Sequence, residues 1–208
     1  MNRVIDLGEK LLIIMLAAPF LIAFAHVLPR HPNFLLLLAS ESLTVLLVLT
    51  RRAGSVSLSP YVLLIAFLGT AGPLAARPVG VALLPPLITS VAMFCGLLLS
   101  VGAKLALNRS FGLVAANRGV KRRGPYRFVR HPMYLGYIIT QLGFLLGSFS
   151  ARNLLIYSLS WLMNWLRIRE EERYLMLDSD YRAFASEVTN RLLPRWPRIG
   201  STGASAGE

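Results

Sequence analysis

Apolar residues occur in six blocks that alternate with short polar connections along the chain. The blocks cover residues 11–28, 33–50, 60–76, 79–107, 133–149 and 154–168. Most are close to the roughly 20 residues that a helix needs to cross a bilayer. Every crossing is expected to be helical, because an open strand edge cannot satisfy its backbone hydrogen bonds in lipid. The pattern predicts an all-α fold, a polytopic membrane helical bundle with five to six transmembrane segments.

Prolines set the expected starts of two helices. Pro85 and Pro86 interrupt the fourth block, which leaves a continuous helix over residues 87–107. The fifth block is expected to begin its helix at about Pro132, since proline is best tolerated in the first helical turn. The fifth and sixth blocks are short, so they are expected to form a C-terminal helical hairpin. A cytosolic amphipathic tail, residues 169–197, follows the hairpin.

The same pattern divides the chain into three parts. Residues 1–107 hold four N-terminal spans, residues 108–197 hold a basic loop, the hairpin and the tail, and residues 198–208 are expected to be disordered. Residues 11–28 have a second interpretation as a signal peptide, because residues 23–25 have the small-x-small pattern of a cleavage site. We prefer a transmembrane span, since the preceding head carries no net positive charge.

Small residues recur every four positions along the fourth helix, at Ala92, Gly96 and Ser100. This spacing lets membrane helices approach one another closely. We therefore interpret the stripe as a packing surface. It would also permit a dimer, although the sequence does not indicate an oligomeric state.

Composition agrees with a membrane protein and changes the interpretation of the net charge. The chain is 55% hydrophobic and 15% charged, whereas soluble domains are about 45–50% apolar. A net charge of +12 would suggest nucleic acid in a soluble protein, but the basic residues here follow the positive-inside rule. If the N-terminus is inside, only Arg30, Arg77 and Arg152 of the 22 Lys and Arg residues lie outside. We expect an integral protein of the cell or inner membrane with cytoplasmic termini and no nucleic-acid partner.

Cysteine and histidine usage argues against a metal. Cys95 is the single cysteine and lies inside an apolar block, so no disulfide or cysteine pair can form within the chain. The three histidines, His26, His31 and His131, are too few and too scattered for a histidine-rich metal centre. No metal site is predicted.

Polar residues recur at helical spacing inside the last two apolar blocks. The fifth block carries Tyr134, Tyr137 or Ile138, and Gln141, and the sixth carries Tyr157, Ser160, Asn164, Arg167 and Glu171. Such stripes face a partner and not lipid. Antiparallel packing of the hairpin would bring Arg167 and Glu171 beside His131 and Tyr134, in a pocket at the cytosolic edge of the bilayer that opens sideways. The unpaired N–H groups of a helix that starts at Pro132 would offer a seat to a carboxylate or phosphate.

The charged residues after the sixth block have a simpler alternative. A solvated helix with pairs at i,i+4, worth about 0.2–0.5 kcal/mol each, would explain them equally. We prefer that interpretation for Glu170 and Arg173. For Arg167 and Glu171 we prefer a site, because ionisable groups at membrane depth usually serve a function. The basic loop before Gly124 is also explained by attraction to anionic lipid headgroups.

Four stretches of the C-terminal half are distinctive. They are NRSFGLVAANRGVKRRGPYRFVRHPMYLGY, RIREEERYL, DYRAF and RLLP. Together they closely resemble the isoprenylcysteine carboxyl methyltransferase and phospholipid methyltransferase group of integral membrane enzymes. The resemblance covers roughly residues 108–196, and the pairing of RHPxYxG with a following RxxxEE is more specific for the group than for its methyl acceptor. It implies that residues 108–197 form the catalytic region and bind S-adenosylmethionine without the glycine-rich G-x-G-x-x-G loop, which this chain lacks.

The resemblance also assigns roles to individual residues. By similarity, the cofactor would contact the side chains of Tyr126, His131, Pro132, Met133, Tyr134 and Glu171 and the backbone of Arg118, Gly119, Val120 and Lys121. Arg167 matches the position expected to hold the acceptor's carboxylate, so Arg167 and Glu171 are the expected catalytic residues. The chain is shorter than is usual between Leu175 and Tyr181 and lacks a glycine there, a departure that concerns the acceptor side.

These observations predict an S-adenosylmethionine-dependent methyltransferase that acts on a lipid-like or lipidated acceptor, most simply by O-methylation of an isoprenylcysteine-type carboxylate. A phospholipid amine or a small apolar acid would also suit a laterally open pocket. Two other functions are considered. One is a membrane-embedded NADPH-dependent reductase of lipid or sterol double bonds, and the other is a non-catalytic lipid-binding protein in which both polar stripes are packing contacts.

Overall fold

A computed structural model describes residues 60–110 and 120–193, two short strands, and isolated helical positions between Leu7 and Thr50. The predicted first two spans lie largely outside the described residues. So do Arg118, Gly119 and the tail at 198–208. The division of the chain into three parts stays a prediction.

Five α-helices follow one another in the described part of the chain after residue 59. They are α1 (Pro60–Ala71), α2 (Pro86–Leu107), α3 (Pro132–Gly147), α4 (Ala151–Leu175) and α5 (Ser179–Glu187). The strands β1 (Ser55–Val56) and β2 (Ala116–Asn117) pair with each other in antiparallel register. Both α2 and α3 begin at a proline in the first turn, where the missing N–H leaves no hydrogen bond unmade. The predicted helical fold and these two helix starts are confirmed.

The lengths of the helices test the expected membrane spans. Among the described residues, α2 is the one helix that is both long and apolar enough to cross a membrane. The helices α1 and α3 are apolar but shorter, with 12 and 16 residues. The sixth apolar block was expected to end near Ile168, but α4 continues without a break to Leu175. The count of five to six spans therefore stays a prediction.

The helices α2 and α3 pack with their backbones almost in contact. A Cβ atom on Gly96 would lie 2.6 Å from the backbone nitrogen of Thr140, and one on Gly136 would lie 2.6 Å from the carbonyl oxygen of Gly96. Ser100 is fully buried in the same seam, and its hydroxyl donates to the Gly96 carbonyl at 3.0 Å. The small-residue stripe is therefore a packing surface, as predicted, and its partner is α3.

The helices α1 and α4 form a second close pair. A Cβ atom on Gly69 would lie 2.6 Å from Oδ1 of Asn164, and one on Gly72 would lie 2.7 Å from Oγ of Ser160. The polar stripe of α4 does face a partner, as expected. Over Ser160 and Asn164, however, that partner is α1 and the turn after it, because their glycines leave room for the polar side chains.

Long side chains, and not backbones, connect α3 to α4. The connecting pairs are Tyr134 with Glu171, Gln141 with Trp161, and Phe144 with Tyr157. Later residues of α3 meet earlier residues of α4, so the two helices are antiparallel and the predicted hairpin is present. It is held most tightly by the indole N–H of Trp161, which donates to Gln141 Oε1 at 2.7 Å.

A fully buried asparagine joins the two connections at one end of the bundle. The amide of Asn153 donates to the carbonyls of Arg77 at 2.8 Å and Ser148 at 2.9 Å. The backbones of Val81 and Phe149 exchange two hydrogen bonds beside it. The connection that follows α1 and the connection between α3 and α4 are therefore neighbours. Both lie at the end of the bundle opposite to Glu171, and the charge count predicts that both are outside the membrane.

Candidate active site

The chain before α3 positions an aromatic side chain against the core. Residues Gly124–Arg127 form a 3-10 turn. Gly124 opens it with a φ of +63°, a conformation that glycine adopts without a steric penalty. Tyr126 is consequently buried, and Pro132 and Met133 at the start of α3 are buried with it. These residues form one wall of the site.

The two faces that were predicted to meet are in contact at this wall. The hydroxyl of Tyr134 donates to Oε2 of Glu171 at 3.2 Å. The guanidinium carbon of Arg167 lies 5.5 Å from the centre of the Tyr134 ring, a cation–π geometry. Tyr134 therefore connects the start of α3 to two charged residues of α4, Arg167 and Glu171.

Neither of these two charged residues has an ion-pair partner within the described ranges. Arg167 is only 7% exposed, and its nearest polar contact there is Nη1 to Oγ1 of Thr70 at 3.5 Å. Glu171 is half-buried and accepts its hydrogen bond from a neutral tyrosine. A buried charge without a partner is costly. The burial of Arg167 is thus not compensated by an ion pair within the described ranges.

The next glutamate along the helix is fully engaged. Glu172 is 3% exposed and accepts hydrogen bonds from Nε of Arg191 at 2.6 Å and Nε of Arg130 at 2.8 Å. Nε2 of His131 lies 3.1 Å from the same carboxylate. Burial raises the pKa of Glu172, but the hydrogen bonds with His131 and Arg191 and the charge of Arg130 outweigh it and lower the pKa to about 2. Glu172 is therefore ionised at neutral pH.

Sequence reasoning did not identify this cluster around Glu172. One signal was available, since Glu172 is the last residue of the RxxxEE pattern. His131 was expected to contact a cofactor, and the structure places its Nε2 against Glu172. Its role toward a ligand stays a prediction.

The segment after α5 lies across the start of α3. The N–H groups of Arg130 and His131 donate to the carbonyls of Asn190 and Arg191, both at 2.9 Å. Nη1 of Arg130 also donates to the carbonyls of Ala185 and Val188. The side chains in the first turn of α3 are accordingly buried, and the expected anion seat at this helix start stays a prediction.

Three buried tyrosines feel the charge of Glu171. Tyr126, Tyr134 and Tyr181 are all buried, and Tyr181 comes from α5. Burial, and then the nearby carboxylates, raise the pKa of Tyr126 and Tyr181 well above the ordinary value. Their hydroxyls are therefore neutral at physiological pH and can donate hydrogen bonds.

Residues 86–177 match the sequence profile of the isoprenylcysteine carboxyl methyltransferase (ICMT) family. This part of the chain belongs to the ICMT family. A search of curated proteins found no match to the chain. The family assigns the region to the methyltransferases, and together with the apolar helix α2 it indicates a membrane protein.

The ICMT-family region includes Arg167 and Glu171, the start of α3 and the whole of α2. It therefore begins earlier than the four distinctive stretches, which started near residue 108. It ends at residue 177, before α5 and the segment that covers α3.

Two further residues that were expected to contact the cofactor, Val120 and Lys121, lie within the ICMT-family region. Val120 and Lys121 are half-buried, and Val120 packs against the buried cluster. Lys104, which sequence reasoning did not single out, is fully buried at the end of α2, with Nζ 5.6 Å from the centre of the Tyr137 ring. Only its position in the last turn of a long apolar helix could have indicated it.

The charged surface beside the ICMT-family site is partly solvated. A cleft of about 400 Å³ is lined by Arg169, Glu170, Glu172, Arg173, Met176 and Arg191. Arg173 and Glu170 form only a loose pair at 3.9 Å, with Arg173 82% exposed, as expected for a solvated face. Across the described residues, no group of three or more His, Cys, Asp and Glu side chains could hold a metal ion.

Proposed function

We propose that this protein is an integral membrane methyltransferase that uses S-adenosylmethionine to methylate the carboxylate of a lipid-like or lipidated acceptor, of isoprenylcysteine type. The observation that carries the proposal is Arg167, a buried cation with no counter-ion among the described residues, one helical turn from a carboxylate that is equally unpaired. Membership of residues 86–177 in the ICMT family supports the same chemistry.

The residues around Glu171 fit the proposed cofactor. The carboxylate of Glu171 can hold an ammonium group or ribose hydroxyls. The aromatic faces of Tyr126 and Tyr134 are suited to a sulfonium cation and an adenine ring. Tyr181 adds a buried hydroxyl without a hydrogen-bond partner. When bound, S-adenosylmethionine supplies an electrophilic methyl group on a sulfonium centre.

Arg167 is the proposed acceptor-binding residue. A guanidinium can hold a carboxylate through two parallel hydrogen bonds, which fixes its orientation as well as its position. A cation at this depth also offsets the cost of bringing a carboxylate out of water. An acceptor carboxylate has no proton to lose, so the pocket needs no general base.

The pocket's remaining contribution is alignment and the exclusion of water. Methyl transfer to a carboxylate annihilates charge, so a site of low polarity that holds both reactants in line favours it. Buried Tyr126, Met133 and Tyr134 line such a site. The separation of Arg167 from Glu171 by one helical turn provides one anchor for each reactant.

The proposed orientation puts the site at the cytoplasmic face, with both termini on that side. The distribution of charge along the bundle supports it. Arg77 and Arg152 lie at the end opposite to the site. The site end carries most of the basic residues that the structure describes, among them Lys104, Arg122, Arg127, Arg130, Arg169 and Arg191.

A transfer assay tests the proposal. Purified protein in lipid nanodiscs is incubated with methyl-labelled S-adenosylmethionine and a membrane extract, and products are identified by mass spectrometry. We expect label in lipophilic products that release it under mild base, because a methyl ester is base-labile and an N-methyl group is not. Glu170→Gln serves as the control, because Glu170 is half-buried and only loosely paired with Arg173, and it retains activity.

Two outcomes would contradict the proposal. One is a folded protein that neither binds S-adenosylmethionine nor transfers label. The other is thermal stabilisation by NADPH but not by S-adenosylmethionine, which would favour a reductase.

A further inference from the structure

The first turn of α5 contains a hydroxyl that the fold does not use. Asp178 caps the helix by accepting the backbone N–H of Tyr181 at 3.0 Å. The Tyr181 side chain is 5% exposed, and its ring packs edge-on against Phe184 with 5.8 Å between the ring centres. Its hydroxyl oxygen is buried and has no hydrogen-bond partner. Phenylalanine would serve the packing equally without burying an unpaired polar group.

The nearby acceptors do not use this hydroxyl. Glu172 and Glu171 are close enough to raise the pKa of Tyr181, after the larger effect of burial. Glu172 already accepts from two arginines and lies beside His131, and Glu171 accepts from Tyr134. Tyr181 therefore presents a spare neutral donor in the neighbourhood of Glu171, the one of these two glutamates that forms no ion pair within the described residues.

This arrangement resembles an incomplete binding subsite more than a packing contact. Buried hydroxyls in folded proteins are almost always hydrogen-bonded. Among the described residues, Tyr181 is the one with a buried side-chain polar atom that has no partner. It belongs to the same buried cluster as Tyr126, Met133 and Tyr134, which line the proposed cofactor site.

We propose that the Tyr181 hydroxyl is a cofactor contact, which donates a hydrogen bond to an oxygen or ring nitrogen of the adenosyl sulfonium ligand held by Glu171. This inference rests on the proposed function. It makes α5 part of the binding site, although α5 lies beyond the ICMT-family region at residues 86–177. The donor half of the pocket is then built from three elements: the start of α3, the end of α4 and the first turn of α5.

The test is Tyr181→Phe, with Tyr61→Phe as the matched control. Tyr61 is 45% exposed on α1, so its hydroxyl is solvated. Two quantities are measured in detergent micelles: the melting temperature without ligand, and the Kd for S-adenosylmethionine by titration calorimetry. We expect Tyr181→Phe to raise or leave unchanged the melting temperature and to weaken binding about threefold to tenfold, the range for one hydrogen bond. Tyr61→Phe changes neither quantity.

Weaker binding of S-adenosylmethionine without a fall in melting temperature distinguishes a ligand contact from a structural role. An unchanged Kd in Tyr181→Phe overturns the inference, as does a fall in melting temperature that accompanies weaker binding. A lower melting temperature with an unchanged Kd would indicate that the hydroxyl binds a buried water, and this result also overturns the inference. If the unmodified protein does not bind S-adenosylmethionine, the proposed function has failed, and not this inference alone.

Discussion

Two adjacent glutamates on α4 have opposite surroundings. Glu172 accepts from Arg130 and Arg191, faces His131 and joins α4 to the start of α3 and to the C-terminal segment. Glu171 accepts one hydrogen bond from a neutral tyrosine and forms no ion pair within the described residues. Successive residues of a helix point about 100° apart. The protein therefore supplies partners to one face of α4, and under the proposed function the next face contacts the cofactor.

The two buried arginines repeat the contrast. Arg130 is bound by Glu172 and by two backbone carbonyls. Arg167 lies over an aromatic ring and makes one long contact with Thr70. Burial alone does not distinguish Arg130 from Arg167, because both side chains are buried. The two arginines differ in the number of hydrogen-bond and ion-pair partners that the described residues supply to them.

The largest expected effect is on stability, from Glu172→Gln. The substitution leaves Arg130 buried without its counter-charge, and breaking such a pair costs about 3–5 kcal/mol. Chemical unfolding in detergent micelles measures the loss. Glu170→Gln is the control, since its partner lies 3.9 Å away and is exposed, so its effect should be within about 0.5 kcal/mol. Equal stability of Glu172→Gln and Glu170→Gln would contradict the structural role of Glu172.

Arg167→Ala should lower turnover and leave the fold intact. Loss of a charge-assisted hydrogen bond to the acceptor costs about 1.5–3 kcal/mol, or roughly 10- to 100-fold in kcat/KM. Stability should fall little, because the cation removed has no ion-pair partner among the described residues. Arg167→Lys keeps the charge but loses the planar fork, so it should recover only part of the activity. If Arg167→Ala were as unstable as Glu172→Gln, the role of Arg167 would be structural and the prediction would be wrong.

Glu171→Gln should weaken the binding of S-adenosylmethionine about tenfold, the loss of one interaction with a charged group. Calorimetric titration measures the affinity, and the melting temperature should stay near that of the unmodified protein. His131→Ala should also weaken cofactor binding, whereas Arg167→Ala should not. An equal loss of cofactor binding in all three variants would refute the separate roles of donor and acceptor residues.

Glu172 should also make the stability of the protein depend on pH. Its pKa is about 2 in the folded protein, against an ordinary value of 4.5. The stabilisation from Glu172 is therefore complete above about pH 4.5 and is lost as the pH falls toward 2. The difference in melting temperature between the unmodified protein and Glu172→Gln should shrink over this window. A constant difference down to pH 3 would contradict the assignment.

Features that depend on local rules could be predicted from the sequence. Proline tolerance in the first turn gave the starts of α2 and α3, and helical spacing placed Arg167 and Glu171 on one face. The short connection between α3 and α4 made them antiparallel, which brought Glu171 to Tyr134. These inferences need only neighbours in sequence. The functional roles of the site residues stay predictions.

The cluster around Glu172 could not be predicted in the same way. Its partner Arg191 comes from a segment that folds back across the start of α3, through backbone hydrogen bonds between residues about 60 positions apart. In sequence, the run from Arg167 to Arg173 looks like one solvated helix. The number of partners for each charge depends on this long-range return of the chain, and so does the unused hydroxyl of Tyr181.

The side-chain seam between α3 and α4 has a consequence for how acceptor preference can change. A larger residue at the glycines between α2 and α3 would have to displace a backbone, and one at the glycines between α1 and α4 would have to displace the buried side chain of Asn164 or Ser160. The seam formed by Gln141, Trp161 and Phe144 has no such restriction. Single substitutions there would change the contact between α3 and α4 while both close helix pairs stay fixed. If Arg167 binds the acceptor, as proposed, acceptors of different bulk are accommodated by changing a few side chains on an unchanged framework.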